Sequence, residues 1–480
     1  MFKNYLRIAV RNLAKYKFIS FINLFGLTVG IACCLLILTY ILHETSYDRY
    51  NSKADRIWRV TRSFNNRDGI VSLHLGTVAP PVGPLLRNDF PDIQKMTRLL
   101  EENRRPMRYQ DKIFNEDAIY FADTNFFDIF DVNLLEGNPK TALADPNSIL
   151  LTPEVARKYF GDADPMNKVI RMDNRINFKV TGIYKPFPDA AHLHPNLLLS
   201  FSTLNDTAVY GEKQLRTNWG NNSFFTYLLL PKDYPVKSME AQFPAFLDRH
   251  YPMDGAPPGI KAHQTTQLFL QPLTSIHLYS HLDSEAEQNG DAGRVTTFAA
   301  IALFILLIAC INYMNLATAR SSLRAREIGI RKVAGALRRE IVLQFLIESI
   351  LISYIGLILA AGLTWLTLPA LNSVTGLNLS IETLIRPAIL IPLAFTPLVV
   401  GILSGLYPAL FLSAFQPSRV LKGLFKAGSG SISFRKVLVV IQFAISIVLL
   451  ISTAIVFQQL HFMLNTALGF NKDQVVVMHY

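Results

Sequence analysis

Five uninterrupted apolar windows, roughly Phe18–Leu42, Val295–Ala319, Ile341–Leu368, Ala388–Ala414 and Val437–Gln458, decide what this chain can become. Each matches or exceeds the ~20 residues that a helix needs to cross a hydrocarbon core ~30 Å thick. Backbone amides and carbonyls find no water there, so such a segment spans as a helix, whose hydrogen bonds all close within it. The first window is too long for a signal-peptide core and no small-residue cleavage site follows it, so it reads as an uncleaved anchor.

Charge sets the orientation. The chain carries 47 Lys+Arg against 36 Asp+Glu, a net +11 that would suit nucleic acid if it lay on one surface. It does not. The stretch 43–294 holds 28 basic and 31 acidic residues, which leaves 19 basic and 5 acidic for everything else. Those basic groups sit at span ends: Lys3 to Lys17, Arg320 to Arg339, and Arg419 to Lys436. Short loops with an excess of Lys and Arg stay in the cytoplasm. The windows then alternate consistently, with 43–294 and the short 369–387 loop outside. The positive charge is a topology signal, and nucleic acid is excluded as a partner.

The outer region is mixed. Ile57–Arg62 alternates with period two and reads as a strand, and Ile119–Ala122, Ile149–Thr152, Phe178–Ile183 and Phe225–Leu230 are further strand candidates. Val78–Asn88 and Pro153–Phe160 read as helices between them. The fold class is therefore an α-helical membrane protein with a large extracytoplasmic α+β domain and five predicted transmembrane helices. Cys33, Cys34 and Cys310 all fall in spans, so no disulfide supports the outer domain. At about 250 residues it can build its own core, with room for two lobes.

A search for chemistry finds little. No G-x-x-x-x-G-K-[ST] loop or H-E-x-x-H motif occurs, and Gly428-Ser-Gly-Ser431 reads as a linker. His192-Leu-His194 could place two imidazoles on one face of a strand, but no third ligand is evident and metal binding is disfavoured. His277 reads as packed or hydrogen-bonded. Within the spans, Asn312 with Asn315 and Gln344 with Glu348 form two polar pairs at helical spacing. They could line a path for substrate, but two pairs do not make one, and interhelical hydrogen bonding is the preferred reading. Pro392, Pro397 and Pro408 are expected to kink the fourth span.

The segment Arg320–Arg339 is the most informative of the basic groups. Seven of its 20 residues are Arg or Lys, and Glu327 is its one acid. Ile328, Ile330 and Val333 are too sparse to build a core, and suit a short amphipathic helix that presses on a cytoplasmic partner. The last span repeats the opening of the chain: basic residues, an apolar span, a polar stalk and a strand-like Gln474–Met478. An internal duplication cut short is the preferred reading.

These residues resemble a known family. Arg324-Ala-Arg-Glu-Ile-Gly-Ile-Arg-Lys-Val-Ala-Gly-Ala336 is similar to the signature of FtsX-like permeases, the membrane subunits of type VII ABC systems. Tyr407-Pro-Ala-Leu-Phe-Leu-Ser-Ala-Phe-Gln-Pro-Ser-Arg-Val-Leu-Lys-Gly423 resembles their fourth-span exit. Ser46-Tyr-Asp-Arg-Tyr50 and Arg56-Ile-Trp-Arg-Val60 resemble the start of the periplasmic core domain of MacB-like members. The style resembles duplicated permeases of Bacteroidota.

The resemblance implies domains at 1–17 (basic cytoplasmic segment), 18–42 (first span), 43–294 (MacB-like core domain) and 295–414 (FtsX-like permease domain). Within the last, spans 295–319, 341–368 and 388–414 surround a coupling segment at 320–340. A cytoplasmic linker at 415–436, a fifth span at 437–458 and the start of a second outer domain at 459–480 complete the expectation. It implies a permease, not an enzyme, that drives mechanotransmission or efflux of antimicrobial or other small molecules or peptides. Lipoprotein release and regulation of a periplasmic hydrolase are the alternatives. No cofactor is expected, since ATP would bind a separate ABC ATPase subunit. Arg324, Arg326, Glu327, Ile328, Gly329, Ile330, Arg331, Lys332 and Gly335 would contact that subunit. The lipid membrane, a periplasmic adaptor, an outer-membrane channel and a homo- or pseudo-dimer partner complete the expected set. The expected location is the bacterial inner membrane.

Overall fold

A computed structural model describes residues 11, 17–66, 68–254, 257–319, 321–414 and 429–466. The chain divides into two compact units: the N-terminal part up to Leu42 with the part from Val295 onward, and His43–Arg294 between them.

The unit that contains the spans is helical. Besides a single turn at Glu382–Ile385, its helices among the described residues are α1 (Lys17–Thr45), α2 (Ala292–Ala319), α3 (Ser321–Val333), α4 (Arg338–Thr375), α5 (Pro387–Ser413) and α6 (Ser429–Asn465). Five of these, all but α3, are long and apolar enough to cross a membrane. Most outrun the windows read from the sequence, because helical bonding continues into flanking residues that hydropathy alone leaves out. The strongest packing is between α4 and α5, and small residues permit it. A Cβ on Gly401 would lie 2.6 Å from the Cα of Ile350, and one on Gly405 would lie 2.5 Å from Ser349 Oγ. Such small-xxx-small spacing lets helix backbones approach where lipid supplies no hydrophobic drive. Pro392, Pro397 and Pro408 all lie inside the single helix α5.

Leu27, Ile31 and Leu35 of α1 pack with Tyr313 of α2, Ile352 of α4 and Val400 of α5 in an apolar cluster. One member of each polar pair makes a contact between helices: Asn315 Nδ2 donates to Gln442 Oε1 of α6 at 3.4 Å, and Gln344 Oε1 accepts from Arg331 of α3 at 2.5 Å. The candidate span Arg435–Asn465 buries none of its apolar window within the chain. The strand expected at 474–478, residues 415–428 of the linker expected at 415–436 and most of the basic 1–17 segment lie outside the described residues, while 429–436 belong to the helix α6 and not to a linker.

Among the described residues, the other unit is built on one mixed sheet of 13 strands. They are β1 (Ile57–Asn65), β2 (Val71–Leu75), β3 (Lys95–Glu102), β4 (Arg105–Tyr109), β5 (Lys112–Glu116), β6 (Ile119–Ala122), β7 (Leu134–Gly137), β8 (Ser148–Leu151), β9 (Val169–Met172), β10 (Ile176–Tyr184), β11 (Leu197–Ser200), β12 (Phe224–Leu229) and β13 (Thr266–Pro272). The order is β13-β1-β12-β3-β6-β11-β8-β10-β9-β4-β5, with β2 beside β1 and β7 beside β10. The pairs β8–β10 and β6–β11 are parallel and the rest antiparallel. Sheet continuity replaces the two lobes allowed for above: three apolar clusters share one sheet. The helix read at Val78–Asn88 begins only at Val82, because Pro80 and Pro81 precede it and proline disfavours helix in the residue before it.

The histidines are tied into this frame separately. His192 contacts Asp48 Oδ1 at 2.7 Å through Nδ1 and the Tyr227 hydroxyl at 2.6 Å through Nε2. His194 instead contacts Glu287 at 2.9 Å, so the two rings serve different partners, and no metal-binding cluster occurs among the described residues. His277 Nε2 lies 3.0 Å from Glu44 Oε2, with the Tyr47 ring stacked on it at 3.2 Å. Fully buried Arg59 of β1 meets Glu285 at 2.5 Å and Gln271 Oε1 at 2.6 Å.

Candidate functional site: the basic helix α3

Residues Ser321–Val333 form α3, a 13-residue helix between α2 and α4. Isolated helices this short are marginal in water, so its order rests on tertiary contacts. Glu327 and Arg331 form an i,i+4 pair at 2.7 Å, with the acid N-terminal, the favourable order. The helix stops where Gly335 takes φ +95°, a conformation that side chains rarely adopt. There the Ala336 N–H reaches the Arg331 carbonyl at 3.0 Å and the Gly335 N–H reaches that of Lys332 at 3.1 Å, a Schellman cap.

One face is fastened to the spans. Ile328 is 4% exposed and packs with Ile341 and Phe345 of α4 and Ala409 and Leu412 of α5. Arg331 Nη1 donates to Gln344 Oε1 of α4 at 2.5 Å. Lys332 Nζ donates to the Ser413 carbonyl at 2.7 Å, a cation at the negative end of α5. Arg338 Nε reaches Ser413 Oγ at 3.3 Å. Burial, with the nearby Arg338 charge, holds the Lys332 ammonium below the usual lysine range.

The other face is bare. Ile330 is 58% exposed and Val333, one turn on, 68%. Leu337, at the head of α4, is exposed as well. Apolar groups that open to solvent on a helix ending mark a place where a partner would be received.

Of the residues expected to meet a partner, α3 thus presents Ile330 outward and turns Ile328 and Gly329 inward. This corrects the expectation that Ile328 presses on a cytoplasmic partner: α4 and α5 of the same chain already enclose it. Glu327, Arg331 and Lys332 face the chain in part, and Gly335 shapes the turn. The side chains of Arg324 and Arg326 lie outside the described residues. The anchors not expected among the contact residues are Ile341, Phe345, Leu412 and Ser413, the last two within the Tyr407–Gly423 stretch that resembles the family's fourth-span exit. Their apolar or small character inside spans gave no signal, while Gln344 was visible as a polar residue in an apolar window.

Comparison with known families gives two matches. Residues 20–245 match the MacB-like periplasmic core domain, and 299–417 match the FtsX-like permease C-terminal domain. The uncharacterized ABC transporter permease YvrN of Bacillus subtilis is 22% identical over 440 residues, 87% of this chain and 99% of YvrN. The macrolide export ATP-binding/permease protein MacB of Bdellovibrio bacteriovorus is 25% identical over 278 residues, 56% of this chain. The chain spans only 37% of the length of that MacB. Among solved structures, the periplasmic region of MacB from Actinobacillus actinomycetemcomitans covers 45% of this chain and 90% of its own, at 16% identity and TM-score 0.31.

Proposed function

This chain belongs to the ABC transporter permeases of the MacB/FtsX type, and we propose that it couples ATP hydrolysis by a separate cytoplasmic subunit to a conformational change in its own periplasmic domain. The chain itself binds no ATP in this reading. Its cargo is an antimicrobial or other small molecule or peptide, in keeping with the macrolide export named for its MacB relatives. It resides in a bacterial inner membrane, with a periplasmic adaptor and an outer-membrane channel as further partners, and works as a homo- or pseudo-dimer.

The observation that carries the reading is the two-faced packing of α3. Ile330 and Val333 are free for an ATPase surface, while Ile328, Arg331 and Lys332 bind the helix to α4 and α5. Since Gly401 and Gly405 lock α5 against α4, a push on α3 is received by all three helices as one piece. A loosely attached helix would absorb such a push, and a buried one could not receive it.

Affinity purification of the full chain from its native membrane, followed by mass spectrometry, tests the partner. The expected result is an ABC ATPase that is recovered with the wild type and lost with Ile330→Asp/Val333→Asp. Equal recovery from both would exclude α3 as its docking site.

A further inference from the structure

We propose that a polar cavity where the first four spans meet is a binding site for an ordered water molecule, held between Asn23 of α1 and Glu348 of α4. The cavity has a volume of about 30 Å³ and is lined by Ser20, Asn23, Tyr313, Glu348, Ser349 and Pro408 among others. One water needs roughly 10–15 Å³ on this measure, together with several polar partners. Both conditions are met.

The hydrogen-bond accounts of the lining call for a donor from outside. Asn23 is 8% exposed, and its Oδ1 has no hydrogen-bond partner among the described residues. Ser349 spends its proton on the Phe345 carbonyl at 3.0 Å. The Tyr313 hydroxyl, 2.9 Å away, therefore donates to Ser349 Oγ. Neither hydroxyl proton is left for Asn23. A water supplies two: one to Asn23 Oδ1 and one to the Glu348 carboxylate, whose lone pairs accommodate several donors at once.

The site also has a place in the chain of contacts. Glu348 lies one helical turn beyond Gln344, which accepts from Arg331 of α3. The site thus lies one turn of α4 from the residue that holds the basic helix, and the water would join α4 to the first span. The existence of the site does not depend on the transport reading.

X-ray radiolytic labelling of the purified full chain in H2 18O tests it, because hydroxyl radicals born from a bound water modify the side chains beside it. Tyr313 and Phe345 line the cavity and are buried. The expected result is labelling at both, with 18O uptake that lags bulk exchange. That labelling is lost in Asn23→Leu, kept in Asn23→Asp, and unchanged when choline replaces sodium. No labelling in the wild type, labelling that persists in Asn23→Leu, or labelling that sodium suppresses would overturn the proposal, the last by showing a cation in the site. If Asn23→Leu is not recovered as a folded protein, the wild-type lag decides alone.

Discussion

Ile328 and Ile330 lie two residues apart on α3 and face opposite ways: the first is enclosed by Phe345 and Leu412, and the second is 58% exposed. Any account of α3 as a docking element must treat them differently.

Their substitutions should therefore diverge. Ile328→Asp puts an uncompensated charge among apolar side chains, at a cost of about 3 kcal/mol or more. The expected outcome is a lower melting temperature in detergent and poor recovery from the membrane. Ile330→Asp should melt as the wild type does. Equal melting of the two variants would mean that α3 is not fastened as described.

The α4–α5 contact makes a second prediction. A Cβ at Gly401 meets backbone atoms of Ile350, which cannot rotate away. Gly401→Ala should destabilise the bundle by ~1–3 kcal/mol, the usual cost of overpacking. Gly362 has nothing within 4 Å of an added Cβ, so Gly362→Ala is the control and should be neutral in the same thermal assay.

Much of this architecture was legible in the sequence, and the unread parts share a cause. Apolar windows announce spans because lipid acts on each helix separately. Pro153–Phe160 and Ile119–Ala122 appear where period and turn residues place them, since local signals fix them. The strands Arg105–Tyr109 and Lys112–Glu116 escaped notice, because they close the end of the sheet, with Lys112–Glu116 as its edge strand, and strands there bury only some of their side chains and tolerate charge. Sheet order depends on pairings as distant as β1 with β13, which no local pattern encodes. For α3, amphipathic character was readable. Which isoleucine the chain keeps for itself was not, because Ile341, Phe345 and Leu412 reach Ile328 only after the spans have packed.

Acid should weaken the outer domain through Arg59 and Glu285. Burial alone would raise the Glu285 carboxyl, but hydrogen bonds and charge from Arg59 hold it below the usual range. A depressed carboxyl contributes stability above the unfolded value, ~4.3, and loses it as pH falls through the folded value. Glu285→Gln should thus lower the melting temperature at neutral pH and flatten its fall between about pH 5 and 3. A parallel fall in both proteins would remove this pair from the acid response.

Topology can be read with cysteines at exposed positions. Asp111→Cys in the outer domain should react with a membrane-impermeant thiol reagent on intact cells whose outer membrane has been permeabilised. Ala334→Cys, in the turn after α3, should react only after lysis. Labelling of both in intact cells would contradict the orientation set by the basic clusters.

Hydrogen–deuterium exchange of the permease with its ATPase in nanodiscs, with and without trapped ATP, tests transmission most directly. The account predicts that ATP changes exchange within 43–294, and that Ile330→Asp/Val333→Asp abolishes the change. ATP turnover that alters only 295–414, or nothing in the permease, would contradict it.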